Sequence, residues 1–187
     1  KENDAIIITK PIGTGILTSA LKRGLVSDKI KIEVIRSMSE LNMKASELLK
    51  KYTINACTDI TGFGLIGHLS EVSVASKVDV EIFADRIPVF DETVSLATGN
   101  IIPGGSTNNL HYFSKHVTWD KTISDITKII LCDAQTSGGL LFTVPHDEKD
   151  RIIDELTNAG IQSVAHIGNC LRKGNGAIFV KENLLFG

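Results

Sequence analysis

The spacing of apolar residues changes several times along the chain, and each spacing predicts a different element. A period near 3.6 residues is typical of helices, whereas strict alternation is typical of half-buried strands. From Ile30 to Tyr52 the apolar positions follow the helical period. This predicts one long helix, or two helices broken near Asn42, whose apolar stripe packs into the core. Residues Val78–Ala84 alternate and predict a strand.

The remaining elements are predicted from short apolar runs and from glycine or proline boundaries. Further strands are expected at Ala5–Thr9, Asn55–Asp59, Gly139–Val144, Ile161–Ile167 and Ala177–Lys181. Further helices are expected from Ile16 to Arg23, from the turn at Gly64 to Ser76, from Pro88 to Gly99, from Ile123 to Leu131 and from Pro145 to Gly160. Residues Ile101–Asn109, rich in glycine, serine and asparagine, are expected to form a loop. Since helices and strands do not alternate strictly, we predict an α+β fold with a mixed β-sheet packed with helices.

Size and charge narrow the classes of function. The chain has 187 residues, which favours a single domain, and a net charge of −2 without a long run of lysine or arginine. We therefore expect neither nucleic acid nor an anionic membrane surface as the main partner. No apolar run is long enough to span a membrane, and no signal peptide is recognisable, so we expect a cytoplasmic protein.

The chain begins at Lys1 without an initiator methionine, and a strand-like run follows almost at once. We therefore expect a fragment cut at a domain boundary, with residues 1–187 forming one domain. Its three cysteines, Cys57, Cys132 and Cys170, are dispersed and form no C-x-x-C pair. This favours free, buried thiols in a reducing compartment, and we expect none of them to be catalytic.

The most informative segment is Ala56–Leu69. Its acid, Asp59, stands at the end of a predicted strand, and the glycine turn Thr61–Gly64 follows before a predicted helix. A carboxylate beside the free N–H groups of a helix start suits Mg²⁺ and phosphate together. The alternative interpretation is structural, with Asp59 capping the backbone that follows it.

The same segment contains the pattern G-x-G-x-x-G at Gly62-Phe63-Gly64-Leu65-Ile66-Gly67. After a strand, and with Asp79 or Glu81 downstream as a ribose-binding acid, this pattern can indicate a dinucleotide site. Asp59 argues against that site, because its carboxylate would face the pyrophosphate. A dinucleotide-binding module is therefore an alternative hypothesis.

Two other polar segments stand out. Ile102–Asn109 could offer N–H groups to an anion, and Asp133–Leu141 joins a helix to a buried strand, where its polar side chains could simply satisfy the chain reversal. The five histidines show no metal-ligand spacing, and we expect each to be a surface or packed residue. No G-x-S-x-G motif supports a serine hydrolase.

Taken together, four segments resemble the selenophosphate synthetases. They are Thr9–Leu17, Cys57–Leu69, Ile102–Gly105 and Asp133–Leu141, in the family's order and over most of the chain. The resemblance implies the fold of the aminoimidazole ribonucleotide synthetase C-terminal domain. It also implies an enzyme that makes selenophosphate from selenide and ATP, releases AMP and phosphate, and needs Mg²⁺.

The resemblance further implies that this chain is the C-terminal half of that enzyme. The nucleophile-bearing segment, most metal-binding acids and the homodimer contacts belong to the family's N-terminal domain, so the isolated chain is expected to be inactive and to contain no catalytic residue. Asp59 matches the family's Mg²⁺-binding acid. The residues implied to line the ATP cleft are Thr61, Gly62, Gly104, Gly105 and Thr107. A non-catalytic interaction domain is a third hypothesis.

Overall fold

The computed structural model describes residues 1–182, which form one mixed sheet with helices on both faces. The strands are β1 (Asp4–Ile8), β2 (Ala56–Asp59), β3 (Val78–Phe83), β4 (Val117–Trp119), β5 (Leu140–Pro145), β6 (Ala165–Lys173) and β7 (Ile178–Lys181). The helices are α1 (Thr14–Leu21), α2 (Asp28–Ser39), α3 (Met43–Leu49), α4 (Gly64–Ser76), α5 (Thr93–Thr98), α6 (Gly104–Phe113), α7 (Asp125–Leu131) and α8 (Lys149–Asn158).

The seven strands lie in the order β2-β5-β1-β6-β3-β7-β4. Strand β7 pairs in parallel with β3 and with β4, whereas the other neighbouring pairs are antiparallel. The sheet is therefore mixed, and the predicted α+β class is confirmed. Strand β2 is at one edge, which leaves one of its sides without a partner strand among the described residues.

Alternate residues of the central strand β1 point into two different cores. Ile6 and Ile8 pack under α1, α4 and α7, in the larger core that extends along β3, β6 and β7. Ala5 and Ile7 face the other side of the sheet, where α3 and α8 cover β5. Burial on both faces explains why β1 is a continuous apolar run and not an alternating one.

Most predicted elements are present, with shifted ends. The helical period from Ile30 to Tyr52 belongs to two helices, α2 and α3, separated around Asn42 as one of the two alternatives had it. The prediction that the apolar positions of this stretch pack into the core is wrong for Leu41, which is 72% exposed between the two helices. The short strand β4 was not predicted, because three residues carry too little periodicity.

Two predictions near the candidate site were wrong. Residues from Gly104 onward are not a loop but begin α6, a helix whose glycine- and asparagine-rich composition hides its period and which is fixed by packing of Phe113 into the core. The prediction of a buried thiol is also wrong for Cys57, which is exposed because β2 lies at the sheet edge. Among residues 1–182, no helix is both long and apolar enough to cross a membrane.

Candidate functional site

The four motifs meet at the segment that joins α7 to β5. Asp133, the second residue of this segment, is fully buried, and its carboxylate accepts four hydrogen bonds. Oδ2 accepts from the backbone N–H groups of Gly15 (2.9 Å) and Ile16 (3.2 Å), at the start of α1. Oδ2 also accepts from Gln135 Nε2 (3.1 Å), and Oδ1 accepts from Ser106 Oγ (2.6 Å) on α6. One carboxylate thus joins the start of α1, the α7–β5 segment and α6.

Gln135 completes the same network. Its Oε1 accepts from the N–H groups of Gly13 (3.0 Å) and Thr14 (3.2 Å) and from the Thr14 hydroxyl (3.0 Å). The Gln135 N–H in turn donates to the carbonyl of Thr61, 2.9 Å away, in the motif that follows β2. The N-terminus of α1, which has no cap from its own N-cap residue Gly13, is therefore satisfied by two side chains distant in sequence.

A glycine at position 15 is required by this arrangement. A Cβ atom there would lie 2.4 Å from the Ala134 carbonyl oxygen and 2.6 Å from Asp133 Oδ1, which is closer than atoms can approach. The backbone of α1 can therefore reach the Asp133 carboxylate only because residue 15 has no side chain.

Burial dominates the electrostatics of Asp133. Desolvation raises the pKa of this carboxyl, and the hydrogen bonds from Ser106, Ile16, Gly15 and Gln135 oppose the rise without cancelling it. The prediction that the polar side chains of Asp133–Leu141 bind backbone groups at a chain reversal is correct but incomplete. Sequence reasoning missed that Asp133 and Gln135 bind three other segments, and the only signal was two polar side chains directly before a buried strand.

The N-terminus of α6 differs from that of α1, because no side chain caps it. It follows Pro103 and has no side-chain cap, so the N–H groups of Gly104 and Gly105 have no acceptor inside the helix. Among residues 1–182, a Cβ atom at Gly104 would meet no atom within 4 Å, and one at Gly105 would meet only the Ala134 Cβ at 3.8 Å. The first turn of α6 is therefore open and uncapped, a geometry that suits an anion.

The turn after β2 is attached to α6. Asn109 Nδ2 on α6 donates to the Gly62 carbonyl (2.8 Å) and to the Cys132 carbonyl (3.1 Å). Gly62 is exposed, and a Cβ atom there would meet no atom within 4 Å. Of the predicted cleft residues, the structure thus brings Thr61, Gly62 and Gly105 close to the Cys132–Gln135 segment, while Gly104 and Thr107 are exposed on α6.

Asp59 differs from Asp133 in its burial and in its hydrogen bonds. It is the last residue of β2, it is exposed, and within residues 1–182 its carboxylate accepts no hydrogen bond. Helix α4 begins at Gly64 and has no side-chain cap, so the structural interpretation of Asp59 as a cap is wrong. No three histidine, cysteine, aspartate or glutamate side chains in the described part of the chain are grouped to hold a metal. Asp59 can therefore provide one metal ligand, but not a complete site.

Thr61 has a partner that sequence reasoning missed. Its Oγ1 lies 2.9 Å from His68 Nε2, and His68 Nδ1 lies 3.0 Å from Glu71 Oε2. His68 is buried in α4, so it is not a surface residue. The available signal was partial, because Glu71 follows His68 by three positions and so lies on the same side of α4, whereas Thr61 belongs to the turn before the helix.

The dinucleotide hypothesis is wrong for this fold. A dinucleotide fingerprint joins two adjacent parallel strands through a helix. Here α4 leaves the edge strand β2 and leads to β3, which lies four positions away in the sheet. The downstream acids are also engaged, since Asp79 Oδ1 accepts from the N–H groups of Gly176 and Ala177, and Glu81 pairs with Lys181.

The three cysteines are free, as predicted, but only Cys132 and Cys170 are buried. Desolvation of the sulfur, and then the charge of Asp59, raise the pKa of the exposed Cys57 thiol. A raised pKa means less thiolate, so Cys57 lacks the electropositive surroundings of an activated nucleophile.

Comparison with known proteins yields a family and close relatives. Residues 1–181 match the family described as AIR synthase related protein, C-terminal domain. A selenide, water dikinase of Clostridioides difficile (strain 630) is 39% identical over 180 residues, which are 96% of this chain and 52% of that protein. One of Pelobacter propionicus is 39% identical over 170 residues, 91% of this chain and 49% of that protein. The chain thus spans about half the length of these curated relatives.

Solved structures share the fold at low sequence identity. The HypE–HypF complex matches with a TM-score of 0.69 and 15% identity, over 98% of this chain and 51% of that chain. Hydrogenase maturation protein HypE in complex with ATP gives 0.65 and 18%, over 98% and 49%. Thiamine monophosphate kinase from Aquifex aeolicus gives 0.59 and 16%, over 97% and 52%.

Proposed function

This chain belongs to the family of AIR synthase related proteins, C-terminal domain, and from that premise we propose that it is the C-terminal domain of a selenophosphate synthetase. The whole protein would make selenophosphate from selenide and ATP, with release of AMP and phosphate. The observation that carries the proposal is the identity to selenide, water dikinases along nearly the whole chain. The gathering of the four motifs around Asp133 and Gln135 supports it.

In this proposal Asp59 is the Mg²⁺ ligand of the domain. Its exposed carboxylate, with no internal hydrogen bond among the described residues, fits a hard cation that prefers oxygen ligands. Mg²⁺ is usually bound in such sites by one or two carboxylates plus phosphates and water, so one acid from this domain suffices as a contribution. Bound Mg²⁺ would neutralise charge on the polyphosphate.

The ATP cleft is proposed to lie over the first turn of α6 and the turn after β2. The uncapped N–H groups of Gly104 and Gly105 suit phosphate oxygens, and the bare backbone at Gly62 allows close approach. Thr61 and Thr107 border the same surface. Phosphoryl transfer depends mostly on positioning and charge stabilisation, so a domain without a nucleophile can still contribute strongly.

The proposal implies partners outside this chain. An N-terminal domain of the same protein would supply the reactive segment and the other acids, and would build a homodimer. Selenide and ATP would be the substrates, and the cytoplasm the compartment. The resemblance supports these partners, and so does the greater length of the relatives, of which this chain spans about half.

The proposal is tested by Asp59→Asn in the full-length protein. We expect selenide-dependent AMP formation to fall by about 100-fold, because the developing phosphate charge loses part of its Mg²⁺ support. The matched control is Asp154→Asn, which removes an exposed acid on α8. The isolated chain provides the baseline, and we expect no turnover from it. An Asp59→Asn enzyme with an intact rate per folded molecule would contradict the assignment, and so would selenide-dependent turnover by the isolated chain.

A further inference from the structure

A chain of hydrogen bonds runs from the surface to the turn after β2. Glu71 is exposed on α4, and its Oε2 contacts His68 Nδ1 at 3.0 Å. The side chain of His68 is 9% exposed, and its Nε2 contacts Thr61 Oγ1 at 2.9 Å. Both ring nitrogens of a buried imidazole are thus engaged, one by an acid and one by a hydroxyl.

The Glu71 carboxylate favours one placement of the protons. A carboxylate only accepts hydrogen bonds, so the proton of a neutral imidazole lies on Nδ1, facing Glu71. Nε2 is then an acceptor, and the Thr61 hydroxyl donates to it. Because the single hydroxyl proton of Thr61 is then donated to His68, Thr61 Oγ1 can only accept a hydrogen bond from a ligand or bind a cation.

We propose that His68 is a positioning residue that makes Thr61 an acceptor-only oxygen, directed at a cation or a cation-bound water and not at a phosphate oxygen. The inference rests on the proposed function, in which Asp59, two residues before Thr61, binds Mg²⁺. A neutral oxygen without a proton attracts a cation or the hydrogen atoms of its water shell, whereas phosphate oxygens need a donor.

The hydroxyl contact is not needed to hold the turn in place. The Thr61 carbonyl already accepts from the Gln135 N–H (2.9 Å), and the Gly62 carbonyl accepts from Asn109 Nδ2 (2.8 Å). Helix α4 has no side-chain cap, so Thr61 Oγ1 does not serve its N-terminus either. The backbone of the turn is therefore fixed by other bonds, and the His68 contact acts on the hydroxyl alone.

The ring of Phe63 covers the hydrogen-bonded chain formed by Glu71, His68 and Thr61. The Phe63 ring lies 5.6 Å from the His68 ring, tilted by 41°, and rests against Phe113 at 6.0 Å. Phe63 is half exposed, so it forms the outer wall between solvent and the imidazole. Shielding from water strengthens the two hydrogen bonds and favours a single proton arrangement.

The proton arrangement can be measured in this chain by itself. With ¹⁵N-labelled histidine, the nitrogen chemical shifts distinguish the Nδ1–H tautomer, the Nε2–H tautomer and the protonated ring, and the signal of His68 is identified by its loss in His68→Gln. We expect the Nδ1–H tautomer. An Nε2–H tautomer or a doubly protonated ring would overturn the inference, because Thr61 would then keep its proton for the ligand.

The consequence for the cation is measured in the full-length protein. The readout is the Mg²⁺ concentration needed to bind a non-hydrolysable ATP analogue. His68→Leu removes the acceptor, and we expect it to raise that concentration by about 10- to 100-fold, the usual effect of losing a residue that orients a metal-site group. His68→Gln replaces Nε2 with an amide oxygen and should recover most of the affinity. His146→Leu, at a site away from α4, is the control.

Three outcomes separate the inference from the function on which it rests. Equal Mg²⁺ requirements in wild type and His68→Leu would overturn the inference alone. Equal losses in His68→Leu and His68→Gln, together with lower melting temperatures, would show a structural role and also overturn it. Should His68→Leu fail to fold, Thr61→Val removes the hydroxyl isosterically and should shift the Mg²⁺ requirement in the same range; no shift would overturn the inference. A full-length protein that binds no ATP analogue with Mg²⁺ would overturn both.

Discussion

Asp133 and Asp59 look alike in the sequence and have opposite surroundings in the fold. Each follows an apolar segment and precedes a turn that contains glycine. Asp133 is fully buried and accepts hydrogen bonds from Gly15, Ile16, Gln135 and Ser106. Asp59 is exposed at the end of the edge strand β2, and its carboxylate accepts no hydrogen bond from residues 1–182.

The two helix starts repeat this contrast. The amides at the start of α1 are occupied by Asp133 and Gln135, so they are closed to any ligand. The amides at the start of α6 have no side-chain cap and face open space at Gly104. A polar group that the fold has already paired stabilises the structure, whereas one that it leaves unpaired at the surface is available to a ligand.

We expect the largest effect on the free energy of unfolding from a substitution of Asp133. In Asp133→Ala the N–H groups of Gly15 and Ile16 would lose their buried acceptor, and so would Ser106 and Gln135. We expect the free energy of unfolding to fall by about 3–5 kcal/mol, the range for breaking a buried charged network by removing one partner. Urea denaturation of the isolated chain, followed by circular dichroism, measures it.

The matched control for that experiment is Asp59→Ala. Because Asp59 is exposed and has no hydrogen bond among the described residues, its removal should change the free energy of unfolding by no more than about 0.5 kcal/mol. Similar losses in both variants would break the comparison, since the two acids would then have the same structural role.

Periodicity and turn residues predicted much of this fold, but not the pairing of its polar groups. Most of the helices and strands follow from local apolar spacing. The Asp133 network joins residues more than a hundred positions apart, such as Gly15 and Asp133, and nothing local encodes it. Helix α6 was predicted as a loop because glycine and asparagine are weak helix formers, and its stability comes from tertiary contacts through Phe113, Ser106 and Asn109.

The candidate site was predictable only where a motif supplied it. Asp59 was chosen from its place between a predicted strand and a glycine turn, and it also matches the family's acid. Gly62, Gly104 and Gly105 were chosen through the family resemblance, and the structure places them on open backbone. The His68 contact with Thr61 depends on the turn between β2 and α4 folding back on the helix. Composition alone gave no reason to prefer His68 to the other four histidines.

An intermediate effect is expected for glycine substitutions at the two helix starts. In Gly15→Ala the new methyl group would lie 2.4 Å from the Ala134 carbonyl oxygen, so the α1 backbone must move away from Asp133. We expect a loss of about 2 kcal/mol in the free energy of unfolding, typical of overpacking against a rigid backbone.

Gly104→Ala is the matched substitution at the open helix start. No atom lies within 4 Å of the new methyl group, and alanine favours helix more than glycine does. Its free energy of unfolding should stay the same or rise by up to about 1 kcal/mol. Melting curves of the two variants test the pair. A destabilised Gly104→Ala, or a Gly15→Ala as stable as wild type, would show that the two starts do not differ as described.

The smallest expected effect is the pH dependence that Asp133 contributes to the free energy of unfolding. It also tests the contrast between Asp133 and Asp59. Burial raises the pKa of this carboxyl above its ordinary value of 3.8, in spite of four donors. In the interval between the unfolded and the folded pKa, the folded state therefore binds more protons than the unfolded state. Stability from this group is fully present below the unfolded pKa and is lost as the pH rises through the folded pKa.

Asp133→Asn isolates that contribution, because asparagine keeps the shape and one acceptor oxygen but does not titrate. The quantity to measure is the free energy of unfolding of wild type minus that of Asp133→Asn, by urea denaturation at closely spaced pH values upward from about 3.8. Other acids titrate alike in both proteins and cancel. We expect the difference to fall with rising pH, by about 1.4 kcal/mol for each unit by which folding raises the pKa. A difference that rises with pH would mean that the donors from Gly15, Ile16, Ser106 and Gln135 outweigh burial. The Asp133 carboxylate would then be an anion favoured by its site, and its contrast with the solvated Asp59 would rest on hydrogen bonding alone.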